Sequence, residues 1–185
     1  MEASLSYEAK LLSIILYSDA TTTDILGKSQ LHSIYISIGN IPTWRHNKSD
    51  AKQLLGYLPI LESSLGKNQA REIFHKSLKY LLEPIYLMNG IELEVNNETI
   101  WFCSRISIII ADWPEAATFC LTYKSTNSNF PCHSCLVTRD NLAKLNLLAD
   151  DIELRSHEDM HKHFDEHTEK SVSIESVSNF FWNLL

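Results

Sequence analysis

The chain has 185 residues, 44% of them hydrophobic and 21% charged, with a net charge of −7 and a mean hydropathy of −0.13. It is long enough for one ordinary folded domain, holds no run of about eighteen apolar residues to span a bilayer, and starts on a polar Met1–Ser4 stretch without the basic-then-apolar pattern of a secretory signal. The acidic balance argues against a compact, stand-alone DNA-binding domain but not against a site that holds Mg²⁺ between carboxylates.

In chain order, Leu11–Tyr17 reads as a nearly continuous apolar strand, buried on both faces, that ends at Ser18-Asp19. Thr21–Asp24 is a polar loop and Gly27-Lys28-Ser29 a turn. His32–Ile38 alternates polar and apolar and predicts a half-buried strand, stopped by Gly39-Asn40-Ile41-Pro42. These two strands are close enough to pair antiparallel, with Asp19 on the rim of their sheet. Trp44–Lys48 is a basic, exposed segment that could touch a DNA backbone, though a short loop of this kind is more often a solvated turn. Ser49 can cap a helix carrying Leu54, Leu55 and Leu58, up to Pro59.

The longest helical pattern opens at Lys67 or Asn68 and runs to about Met88, with Pro84 expected to bend or end it. Asn89-Gly90 is a stop signal. Ile91–Val95 alternates strictly and predicts a strand, Asn96-Asn97-Glu98 a turn, and Thr99–Phe102 a further strand. The β-branched run Ile106–Ile110 predicts another buried strand, broken after Asp112 by Trp113-Pro114. Arg139–Asp150 has the leucine spacing of a short helix. The polar stretch Asp151–Lys170 can continue as a helix, and Ser171–Ile174 reads as a weak extended piece. Asn179–Leu185 is mostly apolar, and such a cluster is expected to be covered; the chain is therefore read as cut short relative to a longer protein. The fold class expected from these elements is α/β, one domain with a metal-linked appendage after residue 120.

Two constellations carry chemistry. Asp19 and Asp112 each stand at the exit of a strand. On neighbouring strands they would repel unless a hard cation lay between them, and Mg²⁺ or Mn²⁺ suits that role. Aspartate also ends strands simply as a turn former. Glu115, in the same turn as Asp112, is read as a surface or capping residue. The second constellation is Cys132-His133-Ser134-Cys135, whose spacing lets both thiolates reach one Zn²⁺. A redox pair or two free thiols are the alternatives. Further zinc ligands would have to come from His157 and His161, or from His163 and His167, each pair spaced i, i+4. Cys103 and Cys120 sit among apolar residues and read as small buried hydrophobes. His32, His46 and His75 are single and read as structural or exposed.

The segments SIILYSDATTTD, IYISIGNIPTWRHNKSDAKQLLGYLPI, SIIIADWPEAATFCLTYKSTNSNFPCHSCLV and SVSNFFWNLL resemble the Plavaka-type transposases. These belong to fungal cut-and-paste transposons with relatives in the CACTA and Kyakuja–Dileera–Zisupton groups. The resemblance implies a ribonuclease-H-like mixed sheet flanked by helices, with a C-terminal zinc-knuckle-like extension. It implies a partial catalytic core over residues 8–120, a C-x-x-C and His-rich segment over 121–170, and the start of a following segment over 171–185. Asp19 and Asp112 would be the first two acids of a D-D-E triad working with Mg²⁺ or Mn²⁺, and Cys132 and Cys135 the pair of a zinc knuckle. The third acid has no counterpart, so a fragment or degenerate copy, inactive alone, is expected. DNA at transposon ends is the implied partner of the full-length family, with an oligomer containing full-length transposase as a further expectation; no membrane partner is expected, and residence is nuclear or cytoplasmic. The alternative is a non-catalytic, zinc-containing interaction module derived from a transposon.

Overall fold

The computed structural model describes residues 9–22, 30–59, 66–87, 90–125 and 127–183. The expected turns over 23–29 lie outside them. The architecture is α/β: a mixed five-stranded sheet with three α-helices among the described residues. The chain divides into two units, residues 1–60 with 79–111 and residues 61–78 with 112–185.

The first unit is the sheet, with strand order β3-β2-β1-β5-β4. Strand β1 (Lys10–Thr22) pairs antiparallel with β2 (Gln30–Ile38), as expected, and parallel with β5 (Glu98–Ile110). β3 (Lys52–Leu58) and β4 (Ile91–Val95) close the two edges, each antiparallel to its neighbour. The β4–β5 hairpin turns on Asn96 and Asn97, both left-handed with φ of 56° and 66°. Asparagine tolerates that region, and two consecutive such residues match the right-handed twist of the flanking strands.

Several expectations are corrected here. Asp19 does not end β1. It lies inside the strand, opposite Ser33, because the ladder to β2 continues to Thr22. β1 is buried on one face rather than two: Ile14, Leu16 and Ser18 are buried while Leu11 and Tyr17 are exposed. The run Ile106–Ile110 is likewise not fully buried, since Ile108 and Ile110 are each about half exposed. It is also not separate from Thr99–Phe102, both being parts of one 13-residue strand. The helix expected from Ser49 is a 3-10 turn (Ser49–Ala51) followed by β3. Leucines at 54, 55 and 58 fit helical spacing, but the free edge of β2 offers a ladder that local propensity cannot outweigh.

Helix α1 (Lys67–Leu87) starts in the second unit and ends in the first. Pro84 does not end it. The carbonyl that loses its partner is that of Tyr80, a residue 84% exposed, so water can take the hydrogen bond. Within the first unit Leu81 of α1 meets β3 at Gly56, where an added Cβ would lie 3.0 Å from Leu81 Cδ1. Gly56 thus marks the close approach of helix and sheet. The opposite face carries Tyr17, Leu54, Ile108 and Ile110, which stay exposed.

The Ile38-Gly39-Asn40-Ile41-Pro42 block is a clasp on β1. Asn40 Oδ1 accepts from the Ser13 amide at 2.7 Å, and Asn40 Nδ2 donates to the Leu11 carbonyl at 3.1 Å. The Gly39 amide donates to the Ser13 carbonyl at 2.7 Å, and a Cβ at Gly39 would collide with the Ser13 side chain. The clasp sits one residue before the register shift between Ile14 and Ile15. Asn40→Ala is expected to cost about 1–2 kcal/mol, since it strips two partners from β1. Urea unfolding checks this; an unchanged midpoint would remove the clasp's role.

The second unit is built around Leu121, Met160, Val172, Ile174, Val177 and Trp182, with Leu136 and Phe164 against them. Helix α2 (Trp113–Phe119) and helix α3 (His157–Asp165) belong to it. The helix expected over 139–150 is only two 3-10 turns, Arg139–Asn141 and Ala149–Asp151. Ser171–Ile174 is a 3-10 turn (Glu169–Val172) leading into a single bridge, Ile174 opposite Thr122. The apolar stretch at 179–185 is not bare where it is described: Phe180 and Trp182 are each only 8% exposed. No helix among the described residues is long and apolar enough to cross a membrane.

Candidate functional site

Asp19 is half-buried, and its Oδ2 accepts from Thr21 Oγ1 at 3.2 Å. Its position follows from alternation: it shares the open face of β1 with Tyr17, two residues back. Tyr17 is paired with Ile110, the last paired residue of β5. Asp112 follows Ile110 by two residues and opens the second unit. It is the N-cap of α2, with extended backbone, and its Oδ1 accepts from the Glu115 amide at 2.8 Å. Pro114 in the first turn needs no hydrogen-bond acceptor, so Asp-Trp-Pro-Glu reads physically as a helix start. Glu115 is not a surface residue: it is only 8% exposed.

The cysteine pair forms a tight turn. The Ser134 amide points at Cys132 Sγ, 3.4 Å away, and Cys135 bridges to Leu154. The Arg155 amide donates to the Ser134 carbonyl and the Leu136 amide to the Glu153 carbonyl, so the turn is tied to 153–155. The Arg155 guanidinium locks the base of the turn through the Cys132 carbonyl (2.9 Å) and the Phe130 carbonyl (3.0 Å). Burial raises the Cys135 thiol above its ordinary range, and the neighbouring Cys132 adds to this. Cys120 is raised by burial too, with Arg155 opposing.

A family model for the Plavaka transposases matches residues 2–185. The chain belongs to the Plavaka transposase family. No curated protein matches it.

Three segments of this Plavaka-family chain have clear physical work. Gly39 and Asn40 clasp β1, and Asp112–Glu115 start α2. The Ser-Asn-Phe-Phe-Trp segment anchors the end of the second unit. Asn179, buried, donates from Nδ2 to the Phe119 carbonyl at 2.9 Å and accepts from the Phe181 amide at 2.9 Å. His75 joins the same region. Its Nε2 lies 3.2 Å from the Thr118 carbonyl, and its Nδ1 accepts from the Phe180 amide at 3.3 Å. Sequence reading missed Asn179 and the part played by His75, because their partners are far along the chain.

Of the histidines of the polar stretch, His161 and His163 have side-chain partners within their own segment or at Trp182. His157 is exposed at the start of α3. His161 stacks on Trp182, ring centroids 5.4 Å apart, and lies 3.7 Å from Asp165. His163 Nδ1 meets Thr168 Oγ1 at 2.8 Å, and His167 follows the helix with left-handed backbone. His133 packs edge-on against Trp113, with centroids 4.8 Å apart. Among the described residues, no three or more His, Cys, Asp or Glu side chains gather as a metal-holding group. The basic segment at 44–48 is a solvated turn: Trp44 is exposed, Arg45 stacks over it and pairs with Asp50 at 2.6 Å. Cys103 is buried, as expected for a small hydrophobe.

Proposed function

We propose that this chain carries a DNA transposase catalytic core of ribonuclease-H-like type, in which Asp19 and Asp112 are two of the carboxylates that hold divalent metal. The observation that carries the reading is the parallel register of β1 with β5, in which Tyr17 faces Ile110 and each acid stands two residues beyond its member of that pair. The strand order, with β1 central and parallel only to β5, supports the same reading, as does membership of the family.

The donors suit a hard cation. Each carboxylate has one oxygen engaged by a neutral donor, Thr21 Oγ1 or the Glu115 amide, which leaves the second oxygen as a ligand. When bound, Mg²⁺ or Mn²⁺ would activate the attacking water or 3′-hydroxyl and stabilise the leaving oxygen at phosphorus. The chain's own part is to hold the carboxylates still. Thr21 orients Asp19 on a rigid central strand, and the α2 cap fixes the rotamer of Asp112. The resemblance to the family implies a third acid for full activity, and Asp19 and Asp112 alone are expected to bind metal weakly.

Calorimetric titration with Mn²⁺ tests the reading. Asp19→Asn and Asp112→Asn are each expected to weaken binding at least about tenfold, or about 1.4 kcal/mol. Unchanged binding in both would defeat it.

A second reading concerns the thiols. The Ser134 amide is aimed at Cys132 Sγ, and two thiols at this spacing supply half of a tetrahedral zinc site. The described residues bring no complete ligand set, and Arg155 adds positive charge at the base of the turn. The zinc-containing interaction module therefore requires ligands from outside this group. Metal analysis of the purified protein checks it: zinc that disappears in Cys132→Ser supports the half-site, and a zinc-free protein of equal stability removes it.

A further inference from the structure

The chain is acidic overall, yet one part of the second unit concentrates cations. Lys67 opens α1, and Arg71 stands one turn further along the same helix. The first turn of α1 holds no acid, so both side chains add to the positive end of the helix dipole instead of cancelling it. Lys67 Nζ lies 5.2 Å above the Tyr123 ring, and Lys124 is the next residue in the chain. Tyr123 is held there by its amide, which donates to the Ser173 carbonyl at 3.0 Å, beside the Thr122–Ile174 bridge.

The anions nearby do not all face outward. Lys67 pairs with Glu175 Oε1 at 2.6 Å, but the Glu175 side chain is only 5% exposed, while that of Lys67 is 60% exposed. Glu115 and Glu169 are buried too. Partial desolvation lowers the Lys124 pKa, repulsion from Arg71 and Lys67 adds to this, and attraction from Asp112 and Glu115 opposes it. Glu115, Glu169 and Glu175 are thus inside, while Lys67 and Lys124 are exposed; Asp112, also exposed, is the surface carboxylate within electrostatic reach of Lys124. Lys67, whose ion-pair partner is buried, presents a charge that is available to a polyanion.

We infer that Lys124, with Lys67 and Arg71, forms a phosphate-contacting patch that guides a DNA backbone past Asp112. The inference rests on the transposase reading for the identity of the polyanion, but not on metal binding. Lysines act as point charges on phosphate, so the patch would position a strand without reading its sequence.

The test is fluorescence anisotropy of a short labelled DNA duplex, titrated with the full chain over a range of salt concentrations. Lys124→Glu is expected to weaken binding about tenfold and to lower the slope of log affinity against log salt by about one. Lys67→Gln, which keeps a hydrogen-bond donor for Glu175, is expected to act in the same direction. Lys79→Glu, the same charge change on the exposed far part of α1, is expected to do less. Thermal melts establish that each variant folds. If Lys124→Glu and Lys67→Gln bind with unchanged affinity and slope, the patch is wrong while DNA binding stands. If the wild-type chain binds no duplex, the patch is wrong and the metal reading remains with the Mn²⁺ titration. Tighter binding of an RNA duplex of the same sequence would overturn the assignment to DNA.

Discussion

Trp182→Ala is expected to destabilise the second unit by about 3–5 kcal/mol, the range for emptying a buried tryptophan site. Trp182 is 8% exposed and belongs to the cluster of Leu121, Met160, Val172, Ile174 and Val177. Its ring stacks on His161 and packs against Phe164, with centroids 5.6 Å apart, so its loss would also free two residues of α3. The segment around it cannot collapse easily into the void. Asn179 and Phe180 are pinned to the Phe119 carbonyl and to His75, which holds the backbone in place. Trp182→Phe, which restores much of the volume, is expected to recover more than half of the loss. Chemical denaturation followed by circular dichroism measures both. A loss under about 1 kcal/mol for Trp182→Ala would mean that the tryptophan is peripheral to the core.

The second large effect is on pH. His75 is 3% exposed, and burial is the main reason its pKa falls from 6.5 to about 4. Its partners fix the neutral tautomer. Nε2 faces a carbonyl and must carry the proton, whereas Nδ1 accepts an amide hydrogen and must not. In the unfolded chain the imidazole takes a proton near pH 6.5, and in the folded chain only near pH 4. The unfolded state therefore binds more protons across that window. Stability from this group is complete above about pH 6.5, declines as pH falls, and is lost by about pH 4, a total of about 3 kcal/mol. Other ionisable groups, among them Glu115, Glu169 and Glu175, are buried in the same unit, so a variant that removes only His75 isolates its contribution. His75→Gln can keep an acceptor and a donor without the titration. Its stability should fall less steeply than wild type between pH 6.5 and 4. Parallel curves would show that His75 is not the group responsible.

Elements with strong local patterns were legible in the sequence. Ile34, Ile36 and Ile38 alternate, Ile91–Val95 alternates strictly, and Asn96-Asn97 names its own turn. The 3.6-residue period of α1 was equally plain. What failed depended on distant partners. Leu54, Leu55 and Leu58 fit a helix, and only the free edge of β2 makes them a strand. Leu142, Leu145 and Leu148 also have helical spacing, but Leu145 is fully exposed and Leu148 is 68% exposed. An amphipathic helix with nothing to pack against gains too little to form. Asp19, Asp112 and the Cys132–Cys135 pair stood out in the sequence as candidates because their signals are local. The roles of His75 and Asn179 could not, since their hydrogen bonds span 43, 105 and 60 residues. Glu115 and Glu175 illustrate the same limit: a glutamate reads as a surface residue until the fold buries it.

Asp19 and Asp112 are proposed to share one cation. Paramagnetic broadening by Mn²⁺ in a nitrogen-15 NMR spectrum reports this most directly. Substoichiometric Mn²⁺ should bleach the amides of Ala20 and Trp113 together, and Asp19→Asn should protect both. Broadening confined to one of the two, or left unaltered by Asp19→Asn, would contradict a common site.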